Sequence, residues 1–169
     1  ASGRCLPGNT RRAPARAPRS RLRDSGIALT GRCAGGLCVR LFGAFRLAGR
    51  MRLARGNHHL KMLKRDGKKH LILDNKQNLV NNHRPSIDVL FNSMNEAIGG
   101  RVVAAILTGM GRDGAEGMLS LKKAGSYTVC QDEQTSVIYG MNKQAKNMGA
   151  VIDEMPLEEI IPGILKFLK

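Results

Sequence analysis

Apolar side chains recur with two spacings along residues 57–169, and each spacing predicts one kind of element. Short apolar runs at residues 60–63 and 70–73 flank Asp66-Gly67, a dipeptide typical of two-residue turns, so a β-hairpin is expected there. Spacing of i, i+3, i+4 and i+7 predicts an amphipathic helix that begins after Pro85 and ends at Gly99-Gly100. Its apolar positions are Ile87, Leu90, Phe91 and Met94.

The second half of the chain alternates between buried strands and helices. Residues 102–107 are continuously apolar, as in a strand covered on both faces, and a glycine-rich turn follows them. The further elements expected are a helix ending at Gly125, a strand over 127–130, a helix over 143–148, a strand over 151–152 and a terminal helix over 157–168. This alternation predicts an α/β fold with a mostly parallel sheet.

Charge is distributed unevenly along the 169 residues, a length that fits one domain. The formal net charge is +15, yet residues 1–56 hold 13 arginines, no lysine and one acid, whereas residues 57–169 hold 15 basic and 12 acidic side chains. A nucleic-acid partner inferred from basic charge would therefore concern only the first third, and none is expected. No apolar run reaches the roughly 18–20 residues of a transmembrane helix, so no membrane insertion is expected.

Residues 1–55 differ from the rest in composition, and three interpretations stay open. Arginine, glycine, alanine, leucine and proline dominate them, and little regular structure is expected before about residue 26. An arginine-rich, acid-poor start is typical of a transit peptide or a nucleic-acid-binding arm, and it also fits an unusual surface segment. We favour an out-of-frame or foreign origin, because arginine-only usage changes to mixed lysine and arginine near Gly56.

The cysteines give no metal-site pattern. Cys33 and Cys38 form the one tight pair in the sequence, without CxxC spacing or a nearby histidine, so neither a metal nor a cofactor is expected. No secretory signal is visible and no initiator methionine is present, so we interpret the chain as a fragment of a reduced, cytoplasmic protein.

Gly109, Gly111 and Gly114 satisfy G-x-G-x-x-G between a strand and a helix. With Asp132 at the end of the next strand, where a ribose-binding acid belongs, a dinucleotide-binding module is one interpretation. Asp113 opposes it, since a carboxylate in the turn would repel a pyrophosphate at the helix N-terminus. A purely structural tight turn is a second interpretation.

Asp113 itself supports a third interpretation. A carboxylate at the carboxyl end of a parallel strand lies where α/β folds place their active sites. There it could accept a hydrogen bond from a histidine and fix the tautomer of that ring during acyl transfer. Exposed N–H groups of the glycine turn could donate to the developing oxyanion. Spacing alone does not choose among the three interpretations.

Several longer motifs point to one family. They are AILTGMGRDGAEGM at 105–118, HRPSIDVLF at 83–91, QDEQTSVIYGM at 131–141, MGAV at 148–151 and GNHHL at 56–60. Over about residues 56–169 they closely resemble the C-terminal part of the catalytic domain of the chemotaxis-specific protein-glutamate methylesterases, the CheB family. The resemblance implies a doubly wound α/β hydrolase domain, incomplete here at its N-terminus. It implies demethylation of glutamyl methyl esters on methyl-accepting chemoreceptors, and deamidation of certain receptor glutamines, without a cofactor.

The resemblance also assigns roles to two residues. Asp113 matches the triad aspartate, and Met110 matches the residue whose backbone N–H contributes to the oxyanion site. The family's serine and histidine belong to motifs that come earlier, and residues 1–56 contain neither motif and no histidine. We therefore expect the chain as written to hydrolyse esters at a strongly reduced rate. The alternative is a remnant of the domain that has no catalytic activity. Many family members also carry a phosphorylatable receiver domain, which nothing in this sequence indicates.

Other polar residues have structural interpretations. His58 and His59 precede the hairpin and are expected to be structural rather than a replacement base. Ser86 is expected to form a local hydrogen bond rather than to act as a nucleophile. Asn142 stands where the family usually has proline, a change expected to loosen the start of the next helix slightly.

Overall fold

The computed structural model describes residues 26–30, 44–47 and 50–168, with side chains described from Arg52 onward. Its strands are β1 (Gly26–Thr30), β2 (Ala44–Leu47), β3 (Arg50–Leu53), β4 (His59–Arg65), β5 (Lys68–Asp74), β6 (Val102–Ile106), β7 (Tyr127–Gln131) and β8 (Asp153–Met155). Its helices are α1 (Ile87–Ile98), α2 (Ala115–Lys123), α3 (Met141–Asn147) and α4 (Leu157–Leu168). One sheet has the order β3-β2-β1-β6-β7-β8, and β4 pairs with β5 in a separate hairpin.

The sheet has helices on both faces. β1, β6, β7 and β8 run parallel, while β2 and β3 join antiparallel at one side. Val102, Ala104 and Ile106 of β6 belong to a core shared with α1, α2, α3 and the hairpin. Val103 and Ala105 belong to a second core, on the face that α4 covers. The predicted α/β class and doubly wound arrangement are confirmed, and the unbroken apolar run of β6 follows from its burial on both faces.

Most predicted elements are present, with one strand displaced. The hairpin, α1, α2, β7 and α4 occur where the apolar pattern placed them, and α3 begins at Met141 rather than at residue 143. The strand predicted over 151–152 is wrong in position, because β7 pairs with Asp153–Met155 instead. Gly149, at φ 71°, ends the turn after α3, and the N–H of Ile152 then donates to the Thr128 carbonyl of β7 at 2.9 Å, just ahead of the paired residues. Two of the three residues of β8, Asp153 and Glu154, are polar, so this strand has no apolar pattern in the sequence.

Three strands lie within the segment that composition set apart. β1, β2 and β3 all precede residue 56, and β1 pairs in parallel with β6 from Gly26–Val102 to Thr30–Ile106. The expectation of little regular structure before residue 26 lies outside the described residues. Neither the division at residue 55 nor the origin of residues 1–55 is tested here, and both stay predictions. Within the described ranges no helix is long and apolar enough to cross a membrane.

Candidate active site

The glycine turn of residues 107–114 lies at the carboxyl end of β6, beside two parallel neighbours. Gly111 and Gly114 have φ angles of 94° and 95°, in the left-handed region that favours glycine. A Cβ at Gly114 would also lie 2.7 Å from Cγ2 of Ile87. Backbone conformation and close packing against α1 therefore account for these two glycines.

Asp113 projects from this turn onto the N-terminus of α1 and is 1% exposed. Its Oδ2 accepts a hydrogen bond from the N–H of Ile87 at 2.8 Å, and its Oδ1 accepts one from the N–H of Asp88 at 3.3 Å. The Ser86 hydroxyl donates to the same Oδ1 at 2.7 Å. Ser86 occupies the N-cap position without capping the helix itself, so Asp113 performs that role from another segment. The helix dipole favours a negative charge at this point.

Asp88 performs the matching role at the N-terminus of α2. Its Oδ1 accepts a hydrogen bond from the N–H of Gly117 at 2.7 Å. Burial raises the pKa of the Asp88 carboxyl, and the nearby charge of Asp113 adds to the increase, while the hydrogen bonds from backbone N–H groups of α2 oppose it. The Asn81 amide donates to both acids, at 2.8 Å to Asp88 Oδ2 and 3.2 Å to Asp113 Oδ1. Asp113 thus caps α1, and Asp88 of α1 caps α2. We call these two carboxylates the reciprocal caps.

The reciprocal caps contradict the dinucleotide interpretation. A pyrophosphate would need the first N–H groups of α2, and Gly117 already donates to the buried carboxylate of Asp88. The proposed ribose ligand is occupied as well, because Asp132 accepts hydrogen bonds from the N–H and hydroxyl of Thr135 at 3.0 and 2.6 Å. The glycine pattern here therefore serves the conformation of the turn and, at Gly114, packing against α1, rather than phosphate binding.

Met110 lies at the outer point of the same turn and is 65% exposed. Within residues 50–168, no backbone carbonyl accepts a hydrogen bond from its N–H. Its neighbour Gly109 is held on both sides: its N–H donates to the Ile138 carbonyl at 2.9 Å, and its carbonyl accepts from Gly140 and Met141 at 3.1 and 2.8 Å. These partners lie in or directly after residues 132–140, which we call the backing loop.

The backing loop approaches the turn so closely that glycine is required at position 140. A Cβ there would lie 2.7 Å from the Gly109 carbonyl oxygen and 3.1 Å from Cα of Met110. Asn142 ties the start of α3 to the loop, since its side-chain amide donates to the Gln131 carbonyl at 2.8 Å and to the Ser136 hydroxyl at 3.1 Å. Asn142 thus holds the start of the helix with two bonds where the sequence suggested loosening.

The C-terminal end of the backing loop is fixed to β8, at the edge of the sheet. The Tyr139 hydroxyl donates to Glu154 of β8, and Lys146 of α3 forms an ion pair with the same carboxylate at 2.5 Å. Burial, with the bond to Glu154 second, raises the pKa of Tyr139, so its hydroxyl stays a donor at neutral pH. Sequence analysis missed this anchor, because its three residues lie on different elements.

His59 is structural, as predicted, whereas the Ser86 hydroxyl donates to Asp113, 27 positions away in sequence, rather than forming the predicted local hydrogen bond. The His59 ring is fully buried, its Nδ1 accepts from the N–H of Ser86 at 3.2 Å, and its Nε2 lies 3.0 Å from the Asn78 carbonyl. These partners assign the neutral tautomer that carries its proton on Nε2. Neither nitrogen is therefore available to activate a serine.

Cys130 is the free cysteine in the part of the chain that the structure describes, and it is buried. Burial raises the pKa of the Cys130 thiol to about 12, so it stays protonated and unreactive at neutral pH. Between residues 52 and 168, no group of three or more histidine, cysteine or carboxylate side chains could hold a metal ion.

Comparison with known proteins identifies the family of the chain. The family described as CheB methylesterase matches residues 43–164. Protein-glutamate methylesterase/protein-glutamine glutaminase 2 of Pseudomonas aeruginosa is 43% identical over 120 residues, covering 71% of this chain and 34% of that protein. The protein of the same name from Rhodospirillum rubrum is 46% identical over 120 residues, covering 71% and 33%. The chain thus spans about a third of the length of these relatives.

A solved structure gives the same result for the fold. The CheB methylesterase catalytic domain of Thermotoga maritima is 32% identical, with a TM-score of 0.63 over 66% of this chain and 58% of that one. The fold and the family match together define an α/β protein of the methylesterase class. The chain belongs to the CheB methylesterase family, and the match begins at residue 43, ahead of the boundary that composition suggested.

Proposed function

We propose that this chain forms the aspartate-bearing part of a protein-glutamate methylesterase site. In it, Asp113 orients the histidine of a Ser-His-Asp triad, and the N–H of Met110 donates to the oxyanion. One observation supports this most: a buried carboxylate is held by α1 at the carboxyl end of β6, three residues from an outward-facing turn residue. The capping bonds fix the Asp113 side chain, which is what a residue that orients a histidine requires.

The proposed reaction is acyl transfer to a serine followed by hydrolysis. The serine hydroxyl attacks the side-chain carbonyl of a glutamyl methyl ester, the histidine takes the hydroxyl proton and passes it to the departing methoxide, and methanol leaves. Water then hydrolyses the acyl-enzyme to glutamate. A glutamine would follow the same steps and release ammonia. We propose methyl-accepting chemoreceptors as the substrates, and the names of the relatives support the chemistry.

The chain as written lacks a histidine in the required place. Residues 1–56 contain none, and both ring nitrogens of His59 are engaged. Loss of a triad histidine costs on the order of 10⁴–10⁶ in turnover in known serine hydrolases. We therefore propose that this polypeptide alone hydrolyses receptor esters at most at a residual rate.

Methanol release from methylated receptor membranes tests the proposal. The chain is compared with a chimera in which residues 1–42 are replaced by the part of the Pseudomonas aeruginosa relative that precedes its matched region. We expect release near background from the chain and a rate approaching that of the relative from the chimera, with cooperative melting of both as the folding control. A folded chimera without turnover would contradict the proposal, as would a chain that matches the relative.

A further inference from the structure

The hairpin of β4 and β5 has its base beside the candidate site and its turn at a distance from it. At its base, His59 pairs with Asp74, and the His59 ring accepts from the N–H of Ser86, whose hydroxyl donates to Asp113. At its tip, Asp66 and Gly67 have φ angles of 49° and 73°, as in a two-residue turn of type I′. Seven residues per strand at about 3.4 Å each place the tip roughly 20 Å from the base.

Arg84 fixes the base of this hairpin by binding the segment before β4 and the segment after β5. The Arg84 guanidinium donates to Oδ1 of Asn57 through Nε and Nη2, at 3.0 and 2.7 Å. Its Nη1 donates to the carbonyls of Asn75 and Gln77 at 3.0 and 3.1 Å. The inner face of the hairpin, with Leu60 and Met62, packs into the α1 core. The hairpin is therefore held in a fixed position relative to the site.

The hairpin carries the whole excess of positive charge in residues 57–169. Residues 59–74 hold five basic and two acidic side chains, whereas residues 75–169 hold ten of each. Lys61 and Asp74 form an ion pair at 2.7 Å, and this bond, followed by hydrogen bonds from the N–H groups of Lys76 and Gln77, lowers the pKa of Asp74 to about 2. The other four cations occupy the outer end, next to a single acid, Asp66; they are Lys64, Arg65, Lys68 and Lys69.

These four cations form two facing pairs across the strands, one pair on each face of the hairpin next to its turn. Lys64 is paired directly with Lys69, and Arg65 with Lys68. Like charges in directly opposite positions destabilise a strand pair. Lys64, Arg65 and Lys68 are exposed. An anionic group placed over the outer end would relieve this repulsion as well as form new ion pairs.

We propose that the outer end of the hairpin, residues 64–69, docks a glutamate-rich protein segment of the substrate. This inference rests on the proposed function, because hydrolysis of a glutamyl ester or a glutamine leaves a glutamate carboxylate. A segment that has several such sites therefore gains negative charge with each turnover. Because the tip of the hairpin lies roughly 20 Å from its base, the outer end would contact substrate residues that are distant from the reacting glutamyl residue. Attraction between oppositely charged surfaces speeds association and fixes the orientation of the partner.

Carbodiimide crosslinking of the full chain to a synthetic glutamate-rich helical peptide tests the surface directly. The reagent joins glutamate carboxylates to lysine amines, and residues 1–56 contain no lysine, so no side-chain amine of the arginine-rich segment can join a glutamate of the peptide. We expect crosslinks to concentrate on Lys64, Lys68 and Lys69. The same peptide with every glutamate replaced by glutamine should bind weakly, and high salt should weaken binding of the glutamate peptide.

Two variants with the same net charge separate a local surface from general attraction. Lys64→Glu/Lys68→Glu should weaken binding by about tenfold or more, whereas Lys123→Glu/Lys143→Glu, at exposed positions elsewhere, should change it by less than about threefold. The hairpin variant places a carboxylate opposite Lys69 and another opposite Arg65. Its melting temperature should therefore not fall, which excludes unfolding as the cause of lost binding.

Four results would overturn the proposal. They are crosslinks spread evenly over lysines of all surfaces, equal weakening by both variants, equal binding of the glutamine peptide, and single-stranded RNA that displaces the peptide from residues 64–69 at lower concentration than the peptide binds. The last would identify a nucleic-acid surface instead. None of these measurements requires hydrolysis, so correct docking by the chain together with a folded but inactive chimera would contradict the proposed function alone.

Discussion

The N-termini of α1 and α2 are both capped by a buried carboxylate, but the two carboxylates come from different parts of the fold. Asp113 and Asp88 are 1% and 5% exposed, each accepts hydrogen bonds from backbone N–H groups of the other segment's helix, and both accept from Asn81. Asp88 belongs to α1 itself, whereas Asp113 belongs to the turn that ends β6. Burial and capping therefore do not distinguish a catalytic acid from a structural one. The catalytic role that we propose for Asp113 rests instead on its position at the carboxyl end of a parallel strand.

Removal of the shared donor should have the largest effect on stability. Asn81→Ala deletes both hydrogen bonds to the acids and leaves two buried carboxylates close together, so we expect a loss of about 3 kcal/mol in the free energy of unfolding. Asn82→Ala is the matched control: Asn81 and Asn82 have φ angles of 52° and 61°, so both variants bear the cost of alanine in the left-handed region. Equal losses in urea unfolding would show that the amide bridge contributes nothing.

The second prediction concerns the distance between α1 and α2. Gly117→Ala places a Cβ 2.7 Å from Cβ of Phe91 and 3.1 Å from Oδ1 of Asp88, which would push the helices apart and lengthen the Asp88 cap. We expect a loss of about 2 kcal/mol despite the better helix propensity of alanine. Gly56→Ala, where nothing lies within 4 Å, should be nearly neutral. A stabilised Gly117→Ala protein would contradict this packing.

The smallest expected effect is a dependence of stability on pH that comes from the Asp88 carboxyl. Folding raises the pKa of Asp88 above 3.8, so the folded state holds more protons just above that pH. The contribution of Asp88 to stability therefore falls as pH rises from about 4, and is flat beyond its folded pKa. Asp74, with a pKa lowered to about 2, has the opposite sign below pH 3.8.

The difference between the wild type and Asp88→Asn in unfolding free energy isolates the first contribution. We expect this difference to favour the wild type most at pH 3.5–4 and less at neutral pH. A difference that grows with pH would mean that Asp88 is stabilised in its charged form.

Sequence predicted the elements with strong local signals and missed the contacts between elements. The Asp66-Gly67 turn, the i, i+3, i+4 spacing of α1 and the apolar run of β6 each follow from local preferences. β8 was misplaced because pairing with β7 selects Asp153–Met155, whose side chains are mostly polar. No local rule could find that a carboxylate at residue 113 caps a helix that begins at residue 87.

The candidate site was predictable to a similar degree. The motif around Met110 and Asp113 located the turn, while the backing loop was recognised only as a motif. Asp88 had one usable signal, since an acid in the first turn of a helix is typical of an N-terminus. Its actual target, the N-terminus of α2, depends on the packing of α1 against α2 at Gly117.

The most direct test of the central claim compares turnover of Asp113→Asn and Asp88→Asn in the chimera that supplies serine and histidine. Both changes remove a charge from the reciprocal caps, so unfolding free energies should fall to a similar degree. Turnover should fall about 10⁴-fold in Asp113→Asn, because an amide cannot hold the histidine in the required tautomer, and less than about tenfold in Asp88→Asn. Similar turnover in the two variants would contradict a catalytic role for Asp113 and leave it as a helix cap.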